Sequence, residues 1–202
     1  PVNPLVRRGI AYGLEMAIPV GEGVCILTDH MLLPLSWNRD AYFVARALLS
    51  AGHREVVRRH LLWTFEMAER LDGLWARCYT ANGRVKDPAF QLDQQLYPLL
   101  ELAEYVLETD DQVMWERLRP QIDAALTALD ARRSSDALLY PTDETPGDDP
   151  IALPYHLSSH ILMWHTLNKL EALGAAGRWT GRGEALRETV RQTFIAPHNG
   201  QM

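Results

Sequence analysis

Apolar residues recur along this chain with a helical period almost throughout. Ala41, Val44, Ala45, Leu48 and Leu49 form one stripe after Trp37-Asn38-Arg39-Asp40, and Gly52 then supplies the left-handed stop that ends many helices. A second helix over about 54–70 places Val57, Leu61, Thr64, Phe65 and Ala68 on one face, so the pair predicts an αα-hairpin. The arrangement then repeats. A third helix over about 90–107 carries Leu92, Leu96, Leu99, Leu100, Ala103 and Leu107. A fourth opens at Thr109-Asp110-Asp111-Gln112, which has the spacing of a capping box, and continues through Trp115, Leu118, Ile122, Ala125 and Leu129. A fifth runs from Pro154, read as a first-turn proline, to Gly174 and is apolar on more than one side, and a sixth occupies roughly 183–195. Three hairpins thus recur about every 60 residues, longer than the roughly 33–47 of common helical solenoid units.

The turns inside hairpins are short. The connections between them, about 71–89 and 134–153, exceed the roughly 12–15 residues beyond which a loop is usually functional or disordered. The first of these alternates as Leu74-Trp75-Ala76-Arg77-Cys78-Tyr79 and predicts a small β-hairpin turning at Asn82-Gly83. Residues 22–28 predict another short strand. If hairpins pack side by side, the N-termini of all their first helices share one end. The polar motifs stand there: Trp37-Asn38-Arg39-Asp40, then Phe90-Gln91-Leu92-Asp93-Gln94, then Asp148-Asp149-Pro150. Helix N-termini present unpaired N–H groups and partial positive charge, which hold carboxylates.

Composition narrows the chemistry. With 202 residues, 47% apolar and 23% charged, the chain is long enough for one globular domain spanning 1–202. A net charge of −6 with scattered Lys and Arg gives no face for phosphates, so nucleic acid is not an expected partner. No apolar run approaches the roughly 18 residues of a membrane span, so no membrane partner is expected. Cys25 and Cys78 read as free thiols, and the compartment is not legible, with the cytoplasm slightly favoured. His156 and His160, with His165 farther on, would share a helix face but lack the adjacent glutamate of a zinc-protease helix. They read as inner-helix histidines with hydrogen-bond partners. No metal is therefore expected, and without a phosphate-binding Gly loop or a Gly-x-Ser-x-Gly elbow the nucleotide and serine-hydrolase readings have no support, so no cofactor is expected.

Each polar motif alone reads as an aromatic lid, a surface ion pair or an acidic turn. Their coincidence at equivalent repeat positions describes a carbohydrate pocket, with aromatic faces for sugar C–H surfaces and Arg, Asp and Gln for hydroxyls. Residues 140–156 gather four carboxylates and four prolines. If Asp148 and Asp149 are both partly buried, repulsion and desolvation raise the pKa of one, which could then protonate a leaving glycosidic oxygen.

The repeated hairpins resemble the six-hairpin (α/α)6 toroid glycosidases, and Leu35-Ser36-Trp37-Asn38-Arg39-Asp40 resembles the Trp-x-Arg-Asp segment that several of their families use to hold a nonreducing sugar. Phe90-Gln91-Leu92-Asp93 with Tyr97-Pro98, and Pro146-Gly147-Asp148-Asp149 with Leu153-Pro154-Tyr155, are most similar to glycoside hydrolase family 125, the metal-independent exo-α-1,6-mannosidases. Glucoamylase-like and processing-glucosidase-like families share the Trp-x-Arg-Asp piece. The resemblance implies an all-α fold of αα-hairpins forming part of a toroid, with small β-hairpins in the connections. It further implies an inverting hydrolase of terminal α-linked mannose or glucose, with Asp148 as acid and Trp37, Arg39, Asp40, Gln91, Asp93, Asp149 and Tyr155 around the sugar. In those families the base lies in a later hairpin, whereas this chain holds about three hairpins of six. Asp143 and Glu144 are the nearest substitutes for that base. The alternatives are a non-catalytic carbohydrate-binding or scaffold domain, or an inactive piece of a longer glycosidase. The apolar flank around Leu186, Val190 and Phe194 is expected to be covered by a second copy or by a missing C-terminal half.

Overall fold

The computed structural model describes residues 3–174 and 179–195. The chain opens with α1 (Pro4–Glu15), a helix the apolar pattern does not announce. Its start is fixed by Asn3, whose Oδ1 accepts from Leu5 N at 2.9 Å, and by Pro4 in the first turn. Leu5 and Val6 remain exposed, so α1 carries no continuous stripe to detect. β1 (Ala17–Val20) and β2 (Gly23–Ile26) follow as an antiparallel hairpin, which supplies the strand expected within 22–28 and gives it a partner.

The three helical hairpins are α2 (Asn38–Ser50) with α3 (Arg54–Leu62), α4 (Leu92–Thr109) with α5 (Gln112–Ala131), and α6 (Leu157–Ala172) with α7 (Arg182–Phe194). The α4 helix lies between α2 and α6, making an inner row, while α1, α3, α5 and α7 form an outer row against it. One continuous core joins Met16, Ile26, Leu48, Leu61, Trp63, Leu96, Leu99, Leu118 and Met163. Among the described residues no helix is long and apolar enough to cross a membrane.

Several boundaries differ from the pattern for local reasons. The helix expected over 54–70 ends earlier. After Leu62 it relaxes into one π-helical turn, Trp63–Met67, and Ala68 is already extended. The Asn82-Gly83 turn packs onto that end, with Glu69 N donating to Gly83 O at 2.9 Å. The single hairpin expected over 74–83 is two. β3 (Arg70–Leu71) pairs with β4 (Leu74–Trp75) across Asp72-Gly73, and β5 (Cys78–Tyr79) pairs with β6 (Val85–Asp87) across Asn82-Gly83. Both Asp72 and Gly73 have positive φ, the signature of a tight primed turn.

The cap of α5 is Asp111, whose Oδ1 accepts from Met114 N at 3.0 Å, whereas Thr109 still belongs to α4 and bonds Tyr105 O. Pro154 precedes α6 by a full turn and is held by Thr142 N instead of opening the helix. The expected bare flank of the last hairpin is overturned as well. Leu186 and Val190 are buried and Phe194 is half-buried near the His160 ring, because α7 lays its apolar face on α6. The inner row also carries exposed apolar side chains, at Leu157 and Ile161 of α6 and Phe43 of α2. Both cysteines are free and buried. His160 is an inner-helix histidine with both ring nitrogens engaged: Nε2 accepts from Tyr140 N at 3.0 Å and Nδ1 faces His156 O at 2.8 Å.

Candidate functional site

The segment leading into α2 is welded to its surroundings before the helix begins. Ser36 and Tyr79 exchange backbone hydrogen bonds of 2.9 Å, and Ser36 Oγ donates to Ile26 O at 2.7 Å. The first turn of α2 is then completed by α4. Asn38 Nδ2 donates to Gln94 O at 2.9 Å, and Arg39 N donates to Gln94 Oε1 at 3.0 Å. One orphan N–H of an inner helix is therefore met by a buried glutamine of the next, which with the Asn38 bond locks the two N-termini together. Thr142 performs the same service for α4 from the following connection, accepting from Leu92 N at 3.1 Å.

On this frame Arg39 reaches two acids from two other segments. Its Nη1 donates to Asp93 Oδ2 at 2.8 Å and its Nη2 to Asp148 Oδ1 at 3.1 Å. Burial works against the guanidinium charge, but the bonds to Asp93 and Asp148 outweigh it and raise the Arg39 pKa. Side-chain exposure climbs from 3% at Asp93 through 17% at Arg39 to 36% at Asp148, so Asp148 is the member that presents itself to solvent.

Asp40 is half-buried beside this group, and its pKa is raised, first by burial and further by Asp148 and Asp93, with Arg39 opposing. Gln91, fully buried, spends its amide on the acidic loop: Nε2 donates to Asp148 Oδ1 at 2.6 Å and to Glu144 Oε2 at 2.9 Å. Glu144 is also bound by Arg77 Nη1, at 3.2 and 3.0 Å.

Arg39, Asp40, Gln91, Asp93 and Asp148 therefore form one cluster at the shared end of the inner helices, with Trp37 half-buried immediately before it. The Asp149 side chain is exposed and bonds neither Arg39 nor Gln91, the side chains that hold the Asp148 carboxylate. The carboxylates facing Asp148 are Asp93 and Asp40, joined by Glu144 through the Gln91 amide. Tyr155 lies edge-on to His160 at 6.2 Å and has no hydrogen bond to the cluster.

Two further aromatics belong to the site that the apolar stripes do not single out as a pair. Phe43 stands four residues after Arg39 and Tyr97 four after Asp93, so each lies one helical turn beneath its charged neighbour. Their rings are 5.7 Å apart, Tyr42 closes the group at 5.0 Å from Tyr97, and Phe43 is 59% exposed. Asp93 and Asp40 both contribute to raising the Tyr97 pKa, after burial, which places that phenol close to the acids. Trp37 Nε1, Gln91 Oε1 and Gln94 Nε2 are buried without a partner among the described residues.

Solved structures of similar fold are glycosidases of the (α/α) toroid type. A glycosidase in complex with glucose superposes with a TM-score of 0.71 at 17% identity, covering 93% of this chain and 55% of its own. A possible member of the GH105 family from Klebsiella pneumoniae gives 0.66 at 17% identity, covering 96% and 53%. A metal-independent alpha mannosidase from Streptococcus pneumoniae, in a non-productive complex with alpha-1,6-mannobiose, gives 0.65 at 13% identity, covering 93% and 55%. The chain spans about half the length of these structures and has the fold of that half of the toroid. No protein-family model matches the sequence, and no curated protein does.

Proposed function

We propose that this chain is the acid-bearing half of a glycoside hydrolase that removes a terminal α-linked hexose, mannose or glucose, with Asp148 as general acid. The observation that carries the reading is the fork of Arg39 onto Asp93 and Asp148, which draws three distant segments to one end of the inner row and leaves Asp148 the most exposed of them. The similar solved structures, which include a glucose complex and an α-mannosidase, support the same substrate class.

The residues divide the work simply. Asp93, Arg39 and Asp40 meet sugar hydroxyls, Arg39 as a donor and the two acids as acceptors. Phe43 and Tyr97 offer ring faces to the apolar side of a pyranose.

Inversion requires a base roughly 6.5–9.5 Å from the acid, with room for water between. Glu144 does not fit that role, because it and Asp148 share the Gln91 amide through bonds of 2.9 and 2.6 Å, leaving those two oxygens no more than about 5.5 Å apart with the amide between them. Asp143 is exposed and faces Arg132 at 4.0 Å. The base belongs on the facing wall of the toroid, supplied by further chain or by a second copy, and sedimentation velocity separates those cases.

The same absence of a base among the described residues favours one rival reading, sugar binding without turnover. An aryl α-mannoside and an aryl α-glucoside decide between them. Turnover that disappears in Asp148→Asn, a change that keeps an acceptor and tolerates a left-handed backbone, supports the acid role. Undiminished turnover in that variant removes it. A thermal shift with mannose or glucose, without any product, supports the binding domain.

A further inference from the structure

Asp148 has φ +64, a left-handed conformation unfavourable to most residues with a Cβ, so the surrounding bonds help to hold it there. Its loop is closed on itself: Asp148 N donates to Thr145 O at 3.0 Å, Thr145 N donates to Asp149 O at 2.8 Å, and Glu144 bridges to Pro150. Such a turn moves as a unit; Arg39 holds it at Asp148, Gln91 holds it at Asp148 and at Thr145 O, and a further tether is the Glu144 side chain. That carboxylate is gripped on both oxygens by Arg77 Nη1 and shares the Gln91 amide with Asp148. Arg77 is itself anchored on β6, its Nη2 to the Asp87 carboxylate and its backbone N to Asp87 O at 3.1 Å.

We infer that Arg77 is a positioning residue for Asp148, acting through Glu144 and Gln91. Two carboxylates on one amide repel each other, and the Arg77 cation lets both remain there. Without it Glu144 withdraws toward solvent, the closed turn follows, and Asp148 loses its aim at Arg39. The catalytic consequence rests on the reading of Asp148 as acid, whereas the positional claim does not.

The side-chain amide of Gln91, buried and donating to two carboxylates, reports the arrangement directly in ¹H–¹⁵N spectra. In Arg77→Met its protons are expected to exchange roughly tenfold faster and to move upfield, while circular dichroism stays native. Arg77→Lys gives an intermediate response. Arg84→Met, which removes another hairpin arginine paired with Glu69 and not with this loop, leaves the Gln91 signal unchanged. Turnover of an aryl α-mannoside by Arg77→Met falls roughly 10- to 100-fold in kcat with little change in KM. A wild-type Gln91 signal in folded Arg77→Met overturns the inference. If that variant does not fold, a wild-type signal in Arg77→Lys overturns it. Retained hydrolysis in Asp148→Asn sinks only the acid role, since the Gln91 response in Arg77→Met is read without substrate.

Discussion

Arg39 and Asp148, 109 positions apart in the chain, meet through a bond of 3.1 Å between Nη2 and Oδ1. The other arm of the same guanidinium holds Asp93, so a single planar group ties the first turns of α2 and α4 to the loop before α6. The planarity matters, because two acids on different segments need two donors at a fixed separation.

Arg39→Lys keeps the charge and loses the fork. A lysine ammonium can satisfy Asp93 or Asp148 but not hold both in register. Stability is expected to fall by on the order of 1–2 kcal/mol, less than a fully buried pair would lose because Asp148 is partly exposed. Turnover of an aryl α-hexoside should fall much further. Urea titration read beside initial rates checks this, and a Lys variant with wild-type kcat would show that the fork does not set the acid.

Phe43 provides the opposite contrast. It is largely exposed, so Phe43→Ala should change stability by less than about 1 kcal/mol, far below the 3–5 expected of a core phenylalanine. As a ring face one turn below Arg39, however, it should contribute to sugar affinity. Calorimetry with mannose or glucose is expected to show binding weakened by roughly tenfold, as for loss of about 1.4 kcal/mol of contact. Unchanged affinity would place the sugar elsewhere.

The inner helices and their common end are legible in the sequence because burial on several sides forces an uninterrupted apolar period, as in Leu92, Leu96, Leu99 and Ala103 of α4. The meeting of Arg39, Asp93 and Asp148 is legible for a related reason: equivalent repeat positions share an end of the bundle. The repeated αα-hairpins follow from the same regularity, and the toroid is what their resemblance to six-hairpin glycosidases implies. What stays hidden depends on pairings the repeat does not dictate. Gln94 reads as a polar first-turn residue, and only the packing of α4 on α2 makes it the cap of Arg39. Arg77 and Glu144 are 67 positions apart in irregular connections, and no periodicity links them. The α1 helix lacks a buried stripe, and the Asp72-Gly73 turn is masked by the apparent continuity of 74–79.

Gly83 tests how tightly the second β-turn is docked. It has φ +84, and a Cβ there would lie 2.5 Å from Met67 O, a backbone atom at the end of the π-helical turn. Gly83→Ala therefore meets both a conformational cost of about 1 kcal/mol and a clash that cannot be relieved by a rotamer change. A loss of about 2–4 kcal/mol in chemical denaturation is expected, since the β5–β6 hairpin must lift from Met67. A loss below about 1 kcal/mol would mean the hairpin is only loosely seated.

His60 and Glu101 are buried at 3.7 Å, a separation that would suit an ion pair. Their environments say otherwise. Burial lowers the His60 pKa to about 4, while burial, with Glu104 adding, raises Glu101 well above the ordinary carboxylate range. Burial thus favours the neutral form of each, with His60 Nδ1 donating to Val24 O at 3.0 Å. Their linkage to stability has opposite signs. The unfolded His60 takes up a proton near pH 6.5, so its contribution is present above that pH and lost as pH falls toward 4, by about 3 kcal/mol. Glu101 retains a proton in the fold that the unfolded chain releases above about pH 4.3, so its penalty grows as pH rises. Between pH 4 and 6.5 the two slopes oppose each other. Glu101→Gln removes one of them: the variant should gain stability with rising pH across that window, exceed wild type at pH 7 and approach it near pH 4. Urea midpoints at pH 4, 5.5 and 7 read the difference, and a constant offset between variant and wild type would show that Glu101 titrates alike in the folded and unfolded chain.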